Sequence, residues 1–544
     1  MGTRAVVLRN GAAFDGHRYR PGVGVVVVDG RIEQVGPDAE LEPPAGAEQV
    51  DLAGGLVLPG FQDAHVHPVQ GGLERLRCDL SELDSREGYL EAVRSYARAN
   101  PDLSWIGGGG WSMAVFGPTG PTAADLDGVV PDRPVFLPNR DHHGAWVNSR
   151  ALELAGIDRR TPDPVDGRIE RDAHGNPSGV LHEGAMSLVE HLVTDTTEDE
   201  YYQAFLTAQD YLHSLGVTAW QEAILGDYAA LDDPASVYVR AAESGELTAR
   251  VRGALWWYRE RGLEQVSTLR ERRRVLERER FVAGAVKIMQ DGVAENYTAG
   301  MTAPYLDGCG CATGNQGLSF VDPALLREAV VRLDAEGFQV HFHAIGDRAV
   351  REALDAVEQA RTTNGRNDLR HHIAHIQVIH PADRPRFARL GVTGNMQPLW
   401  AAYDEQMVDL TLPYLEEERA GWQYPFGDLA RAGARLAAGS DWPVSTPDPL
   451  AGIHVAVNRT VHGSSGREGT EPFLPEQAIT LEQAFAAYTS GSAFVNHLDH
   501  TGSLTPGFAA DFAVLDRDPF AGEPGEIGAT KVVATYVDGV RVFG

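Results

Sequence analysis

Through the middle of the chain, short apolar runs that read as strands alternate with helix-like segments. The runs fall at Leu56–Ala64, Val217–Trp220, Val251–Leu255, Ala285–Met289, Gln339–His343, His372–Ile376, Val392–Met396 and Arg435–Ala438. Strand–helix alternation of this kind is the pattern of a parallel sheet with crossover helices. Eight such strands predict an α/β fold, a closed (β/α)8 TIM barrel whose active site lies at the strands' C-terminal ends.

The two ends of the chain follow another pattern. Ala5–Leu8, Gly24–Val28 and Arg31–Val35, with Asp29-Gly30 as a turn, are short strands; Phe512–Leu515, Val532–Tyr536 and Val540–Phe543, with Asp538-Gly539 as a turn, repeat that character at the other end. This predicts one discontinuous small β-sandwich domain assembled from residues 1–55 and 500–544, with the barrel at 56–499. About 150 residues separate the first two barrel strands, far more than the two to six of an ordinary βα connection. They predict an insert subdomain over 70–212, placed above the barrel mouth where it would wall the substrate pocket. The insert carries Gly107–Gly110 followed by Trp111, the cluster Arg140–Ser149 and the stretch Ser178–Glu183.

Composition narrows the class. A hydrophobic content of 43% with 23% charged residues suits a globular protein with a sizeable core. Acidic residues exceed basic ones by 77 to 47, a formal charge of -30, so the surface repels phosphate backbones and nucleic acid is not an expected partner. The basic run Arg270–Arg280 is interleaved with Glu271, Glu277 and Glu279 and reads as an ion-paired helix face. No apolar run approaches the roughly 20 residues needed to span a bilayer. The three cysteines, Cys78, Cys309 and Cys311, are too few for a disulfide framework. No charged-then-apolar leader is seen before Ala5. The expectation is a cytoplasmic protein without membrane contact, with Cys309-Gly310-Cys311 a plain loop.

The candidate chemistry begins at LPGFQDAHVHP. His65 and His67 are spaced i, i+2, which on an extended strand turns both imidazoles to one face. An HxH pair alone is weak evidence for a metal. Four further residues stand at or just beyond the ends of later strands: Lys287, His343, His375 and Asp441. Each has an ordinary explanation by itself, as a structural histidine, a turn aspartate or a snorkelling lysine. Together they mean that strands one, four, five, six and eight deliver a polar residue to the same rim.

PGFQDAHVHP, VKIMQDG, HFHAIGD and GSDWP, in that order, resemble the amidohydrolase superfamily. The details are similar to its YtcJ-like branch, amidohydrolase family 3, and within it to N-substituted formamide deformylase-like proteins. The resemblance covers nearly the entire chain, and it implies the following. Two divalent ions, with zinc favoured by the histidines, are held by six side chains. His65, His67 and Asp441 take the first ion, and His343 and His375 the second. Lys287 bridges both as an N6-carboxylated lysine. The activity implied is hydrolysis of an amide-like C–N bond of a small molecule (an N-acyl or N-formyl amine, or a cyclic amide) by a metal-activated hydroxide, with Asp441 also moving the proton as general base and acid. A homodimer is implied as well.

Asp63, Asp291 and Asp347 are candidates to orient the histidines. Trp111, His143, Glu183 and Tyr305 are candidate substrate-binding residues, and Trp256-Trp257-Tyr258 a candidate apolar wall. A deaminase on the same barrel is an alternative that should show one metal, no bridging lysine and a glutamate a few residues after the fifth-strand histidine. The sequence has Lys287, and Asp347 after His343-Ala344-Ile345-Gly346. Ester hydrolysis, and a non-catalytic amidohydrolase-like scaffold that has lost ligands, are the remaining alternatives.

Overall fold

The computed structural model describes residues 4–81, 83–193, 196–228 and 231–544. Its centre is an eight-stranded parallel sheet: β1 (Phe61–Val66), β2 (Val217–Leu225), β3 (Arg250–Trp256), β4 (Phe281–Met289), β5 (Gln339–Ala344), β6 (His372–His375), β7 (Thr393–Met396) and β8 (Leu436–Ala438). Each strand pairs with the next in sequence order. The edges at β1 and β8 meet. The Asp441 amide donates to the His65 carbonyl at 2.8 Å, and the His67 amide to the Trp442 carbonyl at 2.9 Å. Asp63 on β1 accepts from the Ser440 hydroxyl at 2.6 Å. The sheet therefore closes as a TIM barrel, with helices such as Pro323–Ala335 and Asp347–Asn364 packed outside it.

All eight strands were placed by the sequence, but the first was drawn too long at its start. Leu56–Pro59 pairs with Ala12–Phe14 and with Phe512–Leu515, in a different sheet. The break is Pro59-Gly60. A Cβ on Gly60 would come within 2.3 Å of the Thr218 side chain, so only glycine lets the chain leave one sheet and enter the barrel beside β2. Both halves are buried throughout, which is why the apolar run looked continuous.

Leu56–Pro59 belongs to a six-stranded sheet built from both ends of the chain, which also includes Ala12–Phe14, Tyr19–Pro21, Phe512–Leu515, Val532–Val537 and Val540–Phe543. A four-stranded sheet, Arg31–Pro37, Val23–Val28, Ala5–Arg9 and Glu48–Asp51, faces it. Val6, Leu8, Val25 and Ile32 from one sheet interlock with Val57, Phe512, Val514 and Tyr536 from the other, the interior of a β-sandwich. Arg250 at the start of β3 anchors the sandwich to the barrel through Asp511 (2.7 Å) and Asp538.

Between β1 and β2 lies a third sheet, six strands running from Cys78–Asp79 to Pro177–Glu183. It has its own buried cluster around Tyr89, Trp111, Leu137 and Trp146. Cys309 and Cys311 are exposed free thiols, and Cys78 is buried. Among the described residues no helix is long and apolar enough to cross a membrane.

Candidate metal centre

The strand period sets the first pair. His65 and His67 leave β1 on one side, and the turn after β8 brings Asp441 between them. His65 Nε2 and His67 Nε2 each lie 3.1 Å from Asp441 Oδ1. The three donor atoms fall within 4.8 Å of one another. Asp441 reaches this place only because its backbone is left-handed, with φ of 58°. His375 (φ 76°) and Ile376 (φ 43°) at the end of β6 are left-handed too. Such conformations cost roughly 1–3 kcal/mol each in a non-glycine residue and cluster at functional sites.

The remaining donors arrive from the middle of the sheet. Lys287 on β4 is 3% exposed, and its Nζ stands 3.3 Å from His65 Nε2. Burial pulls the amine from its ordinary 10.5 to about 7, even though Asp441 and Glu222 favour the ammonium form. His343 at the end of β5 has Nε2 3.3 Å from the Gly292 carbonyl, which leaves Nδ1 turned elsewhere. Its ring lies 4.3 Å from that of His375. His375 Nδ1, buried and 3.7 Å from Asp441 Oδ2, has no hydrogen-bond partner among the described residues. Trp400 stacks parallel to His375, ring centroids 5.4 Å apart.

The electrostatics favour metal-ready protonation states. Burial, then the nearby Lys287 charge, takes His65 down to about 3, and burial takes His343 and His375 well below 6.5. Burial alone would raise Asp441, but the histidines beside it, His65 foremost, hold it well below the carboxylate range. Neutral imidazoles, an ionised carboxylate and a readily deprotonated lysine make a donor set suited to divalent ions. The unpartnered His375 Nδ1 is a buried polar atom that such an ion would satisfy. His65, His67, Lys287, His343, His375 and Asp441 all line one cavity.

The structure brings two of the four expected substrate-binding residues to this place. His143 lines the cavity, and its Nδ1 lies 2.9 and 3.0 Å from the two Glu183 oxygens. Glu183, at φ 51°, also accepts from Thr298 Oγ1 at 2.7 Å. Burial, the largest single influence, would lower His143; the charge and hydrogen bond of Glu183, with the charges of Asp141 and Asp441, together outweigh it and lift the imidazole to about 9. Trp111 lies elsewhere. It is fully buried in the insert, its indole N–H donating to the Leu137 carbonyl at 2.8 Å. Tyr305 is also packed away, its hydroxyl donating to the Ala299 carbonyl at 2.9 Å. Of the Trp256-Trp257-Tyr258 wall, Trp256 lines the cavity, Tyr258 lines a neighbouring space, and Trp257 is buried in the core.

The aspartates expected to orient histidines hold backbone. Asp63 accepts from the amides of His65 and Ser440 (3.0 and 3.1 Å), Asp291 from those of Gly300, Ile345 and Gly346 (2.8–3.0 Å), and Asp347 from Thr302 (2.9 Å). They fix the loops that carry the donors, and Asp291 also stands 3.7 Å from His343 Nε2. The β1 histidines meet other residues. His341 Nε2 is 2.8 Å from His65 Nδ1, and Glu222, held by the Tyr238 hydroxyl at 2.7 Å, stands 3.8 Å from His67 Nδ1. A signal for His341 was present in the sequence: His341 and His343 repeat the i, i+2 spacing of His65 and His67.

A closed parallel barrel with this donor set at the C-terminal rim is the architecture of a metal-dependent hydrolase. The description of the Amidohydrolase family matches residues 48–543. "Putative amidohydrolase YtcJ" of Bacillus subtilis is 31% identical over 525 residues, 95% of this chain and 95% of that protein. N-substituted formamide deformylase of Arthrobacter pascens is 28% identical, over 95% of this chain and 94% of its own length. A metal-dependent hydrolase of unassigned activity from Pyrococcus horikoshii superposes with a TM-score of 0.72 at 26% identity, over 96% of this chain and 99% of that one. The chain belongs to the amidohydrolase family.

Proposed function

We propose that the protein hydrolyses an amide-like C–N bond of a small molecule, using two divalent ions held by His65, His67, Lys287, His343, His375 and Asp441. The observation that carries this reading is the convergence of those six side chains, from five different strands, on one cavity. Lys287, as an N6-carboxylated lysine, would help to hold both ions. Its amine titrates near neutrality, so it is available to take up carbon dioxide as an anionic carbamate, whereas an ammonium would repel the ions. When bound, the ions supply acidification of a water and polarisation of the substrate carbonyl.

The chain's own residues do the rest. Asp441, with one oxygen 3.1 Å from both β1 histidines, is placed to take a proton from the attacking water and return it to the leaving amine. His143, with Nδ1 tied to Glu183, lines the cavity and serves through its other ring nitrogen as a hydrogen-bond donor for a substrate oxygen. Trp400 fixes the plane of His375.

The cavity also bears on the substrate. Over the ends of β5 to β8 a space of about 370 Å³ bounded by Trp400, Trp442, Met407 and Arg140 lies beside it, with Trp400 lining both. Over β2 to β4 one of about 470 Å³ bounded by Tyr228, Trp256, Glu190 and Arg259 lies on the other side, with Tyr228 and Trp256 shared. Room on both sides supports a substrate with a sizeable group on each side of the scissile bond, an N-acyl amine in preference to a formamide. The test is kcat/KM across N-formyl, N-acetyl and N-arylacyl derivatives of one arylalkylamine, with the zinc-loaded enzyme. Rising values from formyl to arylacyl are expected; turnover confined to the formyl member contradicts this substrate reading.

A further inference from the structure

Beneath the metal centre the barrel interior is polar. His341, His372, Gln221, Gln339 and Asn395 are each at most 3% exposed, and they form a network in which the direction of every hydrogen bond can be worked out. The Gln339 amide donates both hydrogens to backbone carbonyls, those of Arg370 and Val495, each at 2.8 Å. Its oxygen must then accept, and it does so from the Gln221 amide at 2.9 Å. That leaves Gln221 Oε1 as an acceptor facing His372 Nε2 at 3.0 Å, so His372 carries its hydrogen on Nε2. His372 Nδ1 in turn accepts from the Asn395 amide at 3.2 Å, which also donates to the Ala64 carbonyl at 2.9 Å. Both nitrogens of His372 are therefore spoken for.

His341 sits between this locked ring and the metal centre. It packs on His372, ring centroids 4.1 Å apart, and His372 has no nitrogen left to offer it. His341 Nδ1 is accordingly buried without a partner among the described residues. Its Nε2 has one partner, His65 Nδ1 at 2.8 Å. His65 presents Nε2 to Asp441 and the other donors. To ligate an ion through that atom, His65 must carry its hydrogen on Nδ1 and donate it, which makes His341 Nε2 the acceptor and puts the His341 hydrogen on the unpartnered Nδ1. A histidine present only to fill the barrel would gain nothing from one buried unsatisfied nitrogen, since an apolar ring of the same size avoids that penalty.

We propose that His341 is a positioning residue of the metal centre: packed against the locked His372 ring, it holds His65 in the orientation and tautomer that offer Nε2 to an ion. The proposal rests on the metal-binding reading of His65. His341 touches no substrate and acts through His65 alone. Partners of this kind are worth about 10–100-fold in metal affinity when removed.

The test is the affinity of the chelator-stripped full-length chain for Zn2+, by competition with a chromophoric chelator, with the visible spectrum of the Co2+-loaded protein as a second readout. Three variants separate positioning from packing. His341→Leu removes the acceptor; His341→Gln carries an oxygen near the place of Nε2; His341→Asn carries one only near that of Nδ1. Expected is a loss of about tenfold or more for His341→Leu and His341→Asn with an altered Co2+ spectrum, and retention to within about threefold for His341→Gln. Wild-type affinity and spectrum in His341→Leu overturn the proposal, as does a loss in His341→Gln equal to that in His341→Leu. Should His341→Leu fail to fold, the contrast of Gln against Asn decides alone. If the wild-type chain takes up no ion, the metal-binding reading fails and this proposal with it; if it takes up ions and the variants match it, only the proposal fails.

Discussion

Replacing Glu183 by glutamine isolates one electrostatic element of the cavity. Both Glu183 oxygens lie within 3.0 Å of His143 Nδ1, and the pair is buried. That carboxylate is the largest of the influences that, with Asp141 and Asp441, lift His143 from 6.5 to about 9 against the opposing effect of burial. At about 1.36 kcal/mol per pKa unit, that is roughly 3 kcal/mol favouring the imidazolium, of the size expected for a buried pair broken on one side. The sign follows from linkage. A histidine with a raised folded-state pKa contributes stability that is complete below 6.5 and is lost as pH rises through about 9. Glu183, whose own carboxyl is lowered from 4.5, adds stability that is lost only as pH falls through its depressed value. The pair is thus at full strength between about pH 4.5 and 6.5. In Glu183→Gln burial is opposed only by the charges of Asp141 and Asp441, so His143 should titrate well below its wild-type value and the deficit in thermal stability against wild type should be larger at pH 6 than at pH 10. The assay is 15N imidazole NMR of histidine-labelled protein, with His143→Asn to assign the signal. A wild-type His143 that titrates at or below 6.5, or a stability deficit equal at both pH values, refutes the reasoning.

Lys287→Ala should bind fewer ions per chain than wild type and lose activity, and bicarbonate added with metal should restore the stripped wild type better than metal alone but leave the variant unchanged; metal analysis and turnover check both. Trp111→Ala should cost about 3–5 kcal/mol as a core truncation, while Trp111→Phe should leave KM unaltered, because the indole packs inside the insert; denaturation and steady-state kinetics separate the two. Gly60→Ala should destabilise the chain by about 1–3 kcal/mol through the 2.3 Å approach to Thr218, read as a lowered thermal midpoint. Arg250→Ala should loosen the sandwich from the barrel by removing the contacts to Asp511 and Asp538, seen as faster amide exchange in Val532–Val537 than in β5.

The barrel was legible because parallel strands buried on both faces are written as continuous apolar runs with helical segments between them. The same feature hid the division at Pro59-Gly60, where two buried strands of different sheets abut. The proposed donors were legible because strand ends deliver them. His65 and His67 are visible through period-2 spacing, Lys287, His343 and His375 through their places near the ends of apolar runs, and Asp441 just after one. The pocket walls were not. Trp111 and Tyr305 are aromatic residues in long connections, and nothing in their neighbours distinguishes an indole that lines a cavity from one that fills a core; burial is a property of the fold. The partners of the imidazoles escaped for a related reason. Aspartates beside the motifs suggested themselves by chemistry, yet Asp63 is consumed by backbone amides and the Ser440 hydroxyl, and Asp291, 3.7 Å from the His343 ring, spends its hydrogen bonds on backbone amides. The ring of His65 is met by His341, 276 residues away in the chain. Left-handed φ at His375 and Asp441, which aims both donors, leaves no mark on residue type.

The central claim is that six side chains at the barrel rim hold two ions. Elemental analysis of the purified chain, before and after dialysis against a chelator and after reloading with Zn2+, tests it most directly. About two ions per chain, lost together with activity and regained together, and halved or worse in His65→Ala, is the result expected. Fewer than one tightly bound ion per chain, with activity untouched by the chelator, contradicts it.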